Sequence, residues 1–182
     1  MVRKIFNFFI YLLFFIIAII YFTPKIGLYY FAEQKLKPLS GVIISKEELR
    51  DNGFSLEIEN ANISAKGIDS AVIKSINIKL FGIYNSVNVQ EIKLASVADT
   101  FVPLNIDTLH IKYTILNPLV ITGDAKGGFG EASLELSLDP DTLKRHLKII
   151  LSPSKNMKQN YKRTLRNLKK NKEGVYIYEK NI

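Results

Sequence analysis

The stretch "VITGDAKGGFGEASLELSLDPD", residues 120–141, combines four glycines with two runs of alternating apolar residues. Apolar side chains at every second position are typical of a half-buried β-strand. The glycines do not form a phosphate-binding loop, because that motif needs Lys and then Ser or Thr where this chain has Phe129 and Gly130. The dinucleotide-binding pattern fails as well, since a strand pattern follows where a helix is required. We therefore predict that the glycines connect two strands at a turn that needs positive φ.

The same alternation extends upstream of this stretch. Two segments, residues 87–96 and 104–115, shift their apolar alternation by one residue partway along. Such a shift indicates a β-bulge, which bends and twists a strand. The predicted fold class is therefore mainly β, with a curved antiparallel sheet domain over residues 41–153.

The segment that follows residue 139 fits two structures. Asp139 and Pro140 are typical of a helix start, but the apolar alternation over residues 147–151 favours a turn and then a strand. Beyond it, Ser154 is a suitable helix cap, and a single apolar stripe predicts a basic helix over residues 154–170. The stripe consists of Met157, Tyr161, Leu165 and Leu168. "VYIYE", residues 175–179, predicts an edge strand, so residues 154–182 form the last predicted part of the chain.

The N-terminal segment "IFNFFIYLLFFIIAIIYF", residues 5–22, contains one polar residue, Asn7, and no charge. As a helix it is about 27 Å long, close to the ~30 Å hydrocarbon thickness of a bilayer. No small-residue cleavage site follows, so an uncleaved transmembrane anchor over residues 1–24 is favoured over a signal peptide. Residues 25–40 predict a juxtamembrane helix that ends near Pro38 and Gly41. Basic residues lie on both sides of the anchor, and we expect the N-terminus in the cytoplasm and the domain outside it.

The net charge of +8 is concentrated near the C-terminus. Residues 144–172 contain eleven Lys or Arg and no Asp or Glu. Such a segment attracts nucleic acid, anionic lipid or an acidic partner, and nucleic acid does not apply outside the cytoplasm. The alternative is a helix that covers the sheet with its apolar stripe and leaves its cations in water. The predicted contacts for anionic lipid or a partner are Lys158, Lys162, Arg163, Arg166, Lys169 and Lys170.

Residues able to carry out chemistry are sparse. His110 and His146 are 36 positions apart in a chain without cysteine, which does not match a metal-binding motif. The chain also lacks the Gly-x-Ser-x-Gly motif of hydrolases that use a serine nucleophile. We predict no catalytic, metal-binding or cofactor-binding residues, no cofactor and no enzymatic activity.

The order of these features resembles a known family. A short anchor precedes a run of amphipathic strands, "VNVQEIKLA", then "ITGDAKGGFGEASLELSLDP", then "LKIILSPS". This order resembles the N component of bacterial type II secretion systems and the related AsmA-like proteins, over most of residues 41–154. The resemblance implies a strand-rich domain in the periplasm, held at the bacterial inner membrane by a single span, with no catalytic residues.

Two functional hypotheses follow. The first is a non-catalytic component of a type II secretion-like or envelope-assembly machine, with other subunits and the inner membrane as partners. The alternative is an AsmA-like or LptC-like protein that binds or transports lipid, because a curved sheet can present one apolar face as a groove. The predicted groove residues are Phe54, Leu56, Ile58, Ile76, Ile78, Leu80, Leu134, Leu136 and Leu138.

Overall fold

The computed structural model describes residues 2–172 and 174–181. Two helices come first, α1 (Val2–Phe22) and α2 (Lys25–Ser40). The next strands are β1 (Val42–Ser45), β2 (Glu48–Asp51), β3 (Ser55–Ala65), β4 (Ile68–Leu80), β5 (Tyr84–Leu94) and β6 (Asn105–Thr114). The remaining elements are β7 (Val120–Gly127), β8 (Gly130–Leu138), β9 (Arg145–Pro153), α3 (Lys155–Asn160), α4 (Lys162–Arg166), β10 (Lys169–Lys170) and β11 (Tyr176–Asn181). The prediction of a mainly β chain is confirmed, with 50% of residues in strands.

Pairing between sequence neighbours builds one open antiparallel sheet. In the described part of the chain its order is β1-β3-β4-β5-β6-β7-β8-β9-β11-β10, and β2 also pairs with β3. Strands β1 and β2 share one edge of β3, because β1 pairs with residues 62–65 and β2 with residues 56–59. Strand β9 lies where the sequence left helix and strand open, so the favoured strand is confirmed.

Apolar residues from every long strand lie on one face of the sheet, which we call the apolar face. Antiparallel partners project their side chains to the same side, so the registers identify this face directly. At the β3 side of the sheet, Leu56 is opposite Ile78 and Ile58 is opposite Ile76. Leu56 and Ile58 belong to a buried cluster that extends along the face to Val89 of β5.

The predicted one-residue shift in alternation is confirmed in β5 and β6 and also occurs in β3. Glu91 of β5 adopts a positive φ of 51°, and the β6–β7 register shifts between Ile106 and Thr108. Asn60 of β3 has φ 57°, and Ile58 and Ala61 on either side of it are both buried. Each shift leaves two consecutive polar residues on the opposite face, so the strands bend along a line that crosses the sheet.

The N-terminal helices meet the sheet in different ways. Segment Arg3–Phe22 of α1 is long and apolar enough to cross a membrane, and none of its apolar window is buried. Its described aromatic contact with the sheet is at its last turn, where the Tyr21 ring is 5.2 Å from that of Phe54. Helix α2 packs Ile26 and Tyr29 on the buried cluster of the apolar face. It runs through Pro38 and ends at Gly41, whose φ of 65° provides a left-handed cap.

The predicted single helix over residues 154–170 is wrong. Ser154 does cap a helix, since its Oγ accepts the Met157 N–H at 3.1 Å, but α3 ends after six residues. At the break, the Tyr161 hydroxyl donates to Asp99 at 3.2 Å, and Thr164 Oγ1 donates to the Phe101 carbonyl at 2.6 Å. Asn and Thr are weak helix formers, so these bonds to the β5–β6 loop outweigh continued helix. Residues 169–170 lie outside both helices and pair with β11. Strand β11 confirms the predicted terminal strand.

The glycine-rich connection is also shorter than the sequence suggests. Gly127 pairs with Gly130, so only Gly128 and Phe129 form the hairpin turn. Of the four glycines only Gly130 has positive φ, 113°. Gly127 serves close approach, since a Cβ there would lie 2.6 Å from the Asn105 carbonyl oxygen. The prediction of a turn is therefore confirmed, while the explanation by positive φ holds for one glycine.

Candidate functional site

Two helical units cover opposite ends of the apolar face. Helix α2 covers the part formed by β1 to β3. At the other end, Met157 of α3 and Leu165 of α4 form a second buried cluster with Leu151 of β9. Met157 is 1% exposed, so the short helices are packed firmly onto the sheet.

Between these units lies a stretch that we call the open apolar face. It consists of two cross-strand rows that lie side by side. The members of the first row are Ile111, Gly123, Leu134 and Ile149, and those of the second are Tyr113, Ile121, Leu136 and Leu147. No residue of these rows belongs to either buried cluster, and no described helix packs on them. Its apolar side chains are half-buried: Ile111, Tyr113, Ile121, Leu134, Leu136, Leu147 and Ile149.

The predicted groove residues lie on the apolar face as a whole but do not form one cleft. Leu56 and Ile58 are 3% and 2% exposed beneath α2, so they are unavailable to a ligand while α2 is in place. Leu134 and Leu136 belong to the open apolar face, four strands away from β4, or about 19 Å. The others lie along β4 or near the ends of strands: Ile76, Ile78, Phe54, Leu80 and Leu138.

Five residues of the open apolar face were not among the predicted groove residues. These are Ile111, Tyr113, Ile121, Leu147 and Ile149. Their signal was present in the sequence as alternation in β6, β7 and β9. Which strands a helix would cover, however, depends on contacts between distant parts of the chain.

The opposite face of the sheet is mostly polar, with Val72, Ile150 and Ile177 as apolar exceptions. Lys74 pairs with Glu91, and Lys126 pairs with Glu131 at 2.8 Å. His110 Nδ1 contacts Asn88 Oδ1, and His146 Nδ1 lies 2.9 Å from Asn181 Oδ1. Within residues 2–172 and 174–181, no three His, Asp or Glu side chains converge as a metal site would require. The exposed ion pairs contribute little to stability, since solvent screens them.

The basic C-terminal residues surround a shallow cleft of about 420 Å3. Lys158, Lys162, Arg166 and Lys170 line it, and we call these four residues the basic cluster. Leu165, Leu168 and Tyr176 supply an apolar floor, with the Lys170 ammonium 5.9 Å from the Tyr176 ring centroid. Among the described residues, no ion pair involves the basic cluster. Arg163 and Lys169 are exposed but do not line this cleft.

The basic cluster lies at the strand ends that are farthest from α1. Strand β9 runs from Arg145, near the edge where α1 ends, to Pro153, where α3 begins. Its nine residues span about 30 Å. The sequence showed the apolar stripe and the cations, but their distance from α1 depends on the number and direction of the strands.

A buried lysine joins α1 to the sheet. Lys25 is 2% exposed, and its ammonium donates to the Ile20 and Thr23 carbonyls, both at 3.1 Å. Its backbone N–H donates to the Asp51 carboxylate at 2.9 Å, and this bond lowers the pKa of Asp51. Nearby, burial raises the pKa of Tyr29, with Glu47 and Glu33 adding to the effect. The junction thus satisfies the last carbonyls of α1 and the first N–H of α2.

No protein-family model, curated protein or solved structure matches this chain.

Proposed function

We propose that this protein is a membrane-anchored lipid-binding protein, in which α1 is the anchor and the open apolar face holds acyl chains. The observation that carries the proposal is the pair of apolar rows on β6 to β9 over which no described element packs. An uncovered apolar surface of this extent in a soluble domain marks an interaction site. The resemblance of the sequence to AsmA-like proteins agrees with this function.

The dimensions of the open apolar face suit an acyl chain. Four strands, β6 to β9, span about 14 Å between the outer two strands. A hydrocarbon chain gains about 0.8 kcal/mol for each methylene that it buries. Several methylenes are therefore enough to hold a lipid reversibly. The proposed location is the bacterial inner membrane, with the N-terminus in the cytoplasm and the sheet in the periplasm.

Cross-linking to lipid in membranes tests the proposal. Full-length protein is labelled in cells with a photoactivatable fatty acid, and cross-linked peptides are mapped. We expect cross-links in the strand residues of the open apolar face, on β6 to β9, as well as in α1, because both contact acyl chains. Cross-links confined to α1 would contradict lipid binding by the sheet. A reporter fused after Ile182 tests the orientation, since activity only in the cytoplasm would exclude a periplasmic domain.

A matched pair of substitutions separates the two faces of β8. Leu134→Glu places a charge in the open apolar face and is expected to abolish the cross-links in the sheet. Ser133→Glu adds the same charge one residue away, on the polar face, and is expected to leave them unchanged. Equal losses in both variants would show that the charge acts on the fold and not on a lipid site.

The second candidate function is a non-catalytic subunit of a secretion-like or envelope-assembly machine, and the basic cluster favours it. Electrostatic attraction is screened within about 8 Å at physiological salt. The cluster lies at the far ends of the strands from α1, about 30 Å away along β9, so the headgroups around the anchor are beyond its electrostatic reach. An acidic subunit or an opposing anionic surface fits the four cations and their apolar floor better.

Charge removal tests this second candidate. Replacing Lys158, Lys162, Arg166 and Lys170 by Gln should abolish salt-sensitive cross-linking to a partner subunit in cells. The matched control replaces Lys79, Lys112, Lys144 and Lys180 by Gln, which removes as much charge elsewhere. All eight side chains are exposed, so both variants should keep the circular dichroism of the sheet. An equal loss of cross-linking in both variants would show that the net charge of the protein, and not the basic cluster, determines the contact. Neighbouring genes for a secretion ATPase and pseudopilins would further support this candidate.

A further inference from the structure

Large apolar side chains are exposed at the strand ends that lie nearest to the end of α1. We call this side of the sheet, formed by strand ends and turns, the α1 edge. These side chains occupy three consecutive turns on the α1 edge, β4–β5, β6–β7 and β8–β9. Leu116 is 87% exposed, Leu143 75% and Ile83 66%. We call the set the apolar rim: Phe81, Ile83, Ile115, Leu116, Leu119 and Leu143.

Strand registers place these turns side by side. A single cross-strand row joins Tyr113 to Ile121, Ile121 to Leu136, and Leu136 to Leu147. The turns of the rim project past this row in the same direction. Successive turns are two strand spacings apart, about 10 Å, so the rim extends for roughly 20 Å along one edge.

The rim is continuous with the end of α1. The Tyr21 ring in the last turn of α1 lies 5.2 Å from the ring of Phe54, which stacks on Phe81 of the rim at 5.7 Å. Ile19 and Ile20 of α1 line a small cavity together with Leu80, next to the rim. The rim therefore begins at the level where the apolar segment of α1 ends.

One turn of the rim holds its apolar side chain outward against backbone preference. Leu143 has φ 53°, in the left-handed region that leucine rarely adopts. Asn or Gly at this position would relieve the backbone and remove an exposed apolar group. Burial of the Leu143 side chain in an apolar phase would offset both disadvantages.

From these observations we infer that the apolar rim is embedded in the interface of the same bilayer that α1 crosses, so that the sheet stands on the membrane by its edge. The occupant of this surface is lipid, because the rim starts at the end of a membrane-length apolar helix. Aromatic and aliphatic residues are favoured at such interfaces. The row of Tyr113, Ile121, Leu136 and Leu147 then meets the acyl chains, which gives lipid an entry to the open apolar face. The inference rests on the proposed anchoring by α1, but not on lipid binding by the sheet.

The chain contains no Trp, which allows single-Trp variants to report membrane depth. Full-length Leu116→Trp, Leu143→Trp and Val97→Trp are reconstituted in nanodiscs whose lipids carry bromine on their acyl chains. Val97 is the matched control, since it is 66% exposed in the loop at the opposite edge. We expect loss of fluorescence at 116 and 143 and none at 97. Leu13→Trp, within α1, reports the anchor itself.

The outcomes separate the rim from the anchor. If Leu13→Trp is quenched while positions 116 and 143 behave like position 97, the rim does not enter the bilayer and the inference is overturned. If Leu13→Trp is not quenched, anchoring by α1 fails, and the inference fails with it.

Because Trp itself prefers interfaces, a cysteine experiment repeats the test. The chain has no cysteine, so single Leu116→Cys and Val97→Cys variants have no background. In nanodiscs we expect a charged, membrane-impermeant maleimide to label position 97 and not position 116. Equal labelling of both would overturn the inference.

Discussion

The Asp51 carboxylate contacts both the backbone N–H and the side-chain ammonium of Lys25. The Asp51 carboxylate accepts the Lys25 N–H at 2.9 Å, and its other oxygen lies 3.6 Å from the Lys25 ammonium. The second oxygen also accepts the Gly53 N–H at 3.0 Å, which ties the β2–β3 turn to the same point. One carboxylate therefore fixes the start of α2, the end of α1 and a turn of the sheet.

The Asp51 junction should make stability depend on pH. The Lys25 N–H bond lowers the pKa of Asp51, so the folded state favours the ionised carboxylate. An acid with a lowered folded pKa stabilises the fold above its unfolded pKa, and this contribution is lost as the pH falls through the folded pKa. We expect Asp51→Asn to be less stable than the wild type at neutral pH, with the difference disappearing on acidification below about pH 4. Denaturant unfolding followed by circular dichroism measures it, and a difference independent of pH would contradict the mechanism.

Tyr29 carries a hydroxyl that the fold does not use. Its oxygen is buried and has no hydrogen-bond partner among the described residues, and burial raises the pKa of Tyr29. Removing an unsatisfied buried hydroxyl removes a desolvation penalty. Tyr29→Phe should therefore be neutral or stabilising by up to about 1 kcal/mol in denaturant unfolding. Tyr30→Phe, next to it and exposed, is the control that should change nothing. A clear loss of stability in Tyr29→Phe would show that the hydroxyl has a partner in solution.

Met157 should hold the C-terminal helices on the sheet. The side chain is 1% exposed in the cluster with Leu151 and Leu165. Met157→Ala is expected to cost about 2–5 kcal/mol, because it loses buried contacts and leaves a cavity. Exposed Gln159→Ala, which removes no trypsin site, should stay within about 0.5 kcal/mol of the wild type. Trypsin cleavage within residues 155–172 should be faster only in Met157→Ala, and equal rates in both variants would argue against this anchoring role.

Two glycines should respond oppositely to alanine. A Cβ at Gly130 would overlap the Ser152 carbonyl oxygen, and the φ of 113° is unfavourable for alanine. At Gly27, within α2, a Cβ would meet nothing within 4 Å. Gly130→Ala should therefore strongly destabilise the sheet, whereas Gly27→Ala should gain about 0.5–1 kcal/mol from helix propensity. Thermal unfolding of both variants compares them directly, and a tolerated Gly130→Ala would show that the hairpin adopts another turn.

Alternation and turn residues were enough to predict the sheet. The apolar positions in β5 and β6 showed both the strands and their one-residue shifts, because side chains alternate between faces whatever the partner strand is. The apolar content of α1 similarly predicted a helix of membrane length. Such features depend on neighbouring residues alone.

Features that depend on distant contacts were not predictable in this way. The break at Tyr161 follows from Asp99 and Phe101, some sixty positions earlier in the chain. The division of the apolar face into covered and open parts depends on where α2 and α3 pack. Helical spacing placed Met157 and Leu165 on one apolar stripe, but it did not show whether lipid, a partner or the sheet would bury that stripe.

The unbroken pairing of β3 to β9 with their sequence neighbours has a consequence for how the chain folds. Each of these pairings closes a short loop, so little chain entropy is lost before its contacts form. Hairpins can then form one after another as successive strands become available, without waiting for the C-terminal strand. Strand β11 and the buried side chains of α3 and α4 close the C-terminal end last, so a chain cut after β9 would already contain most of its registers.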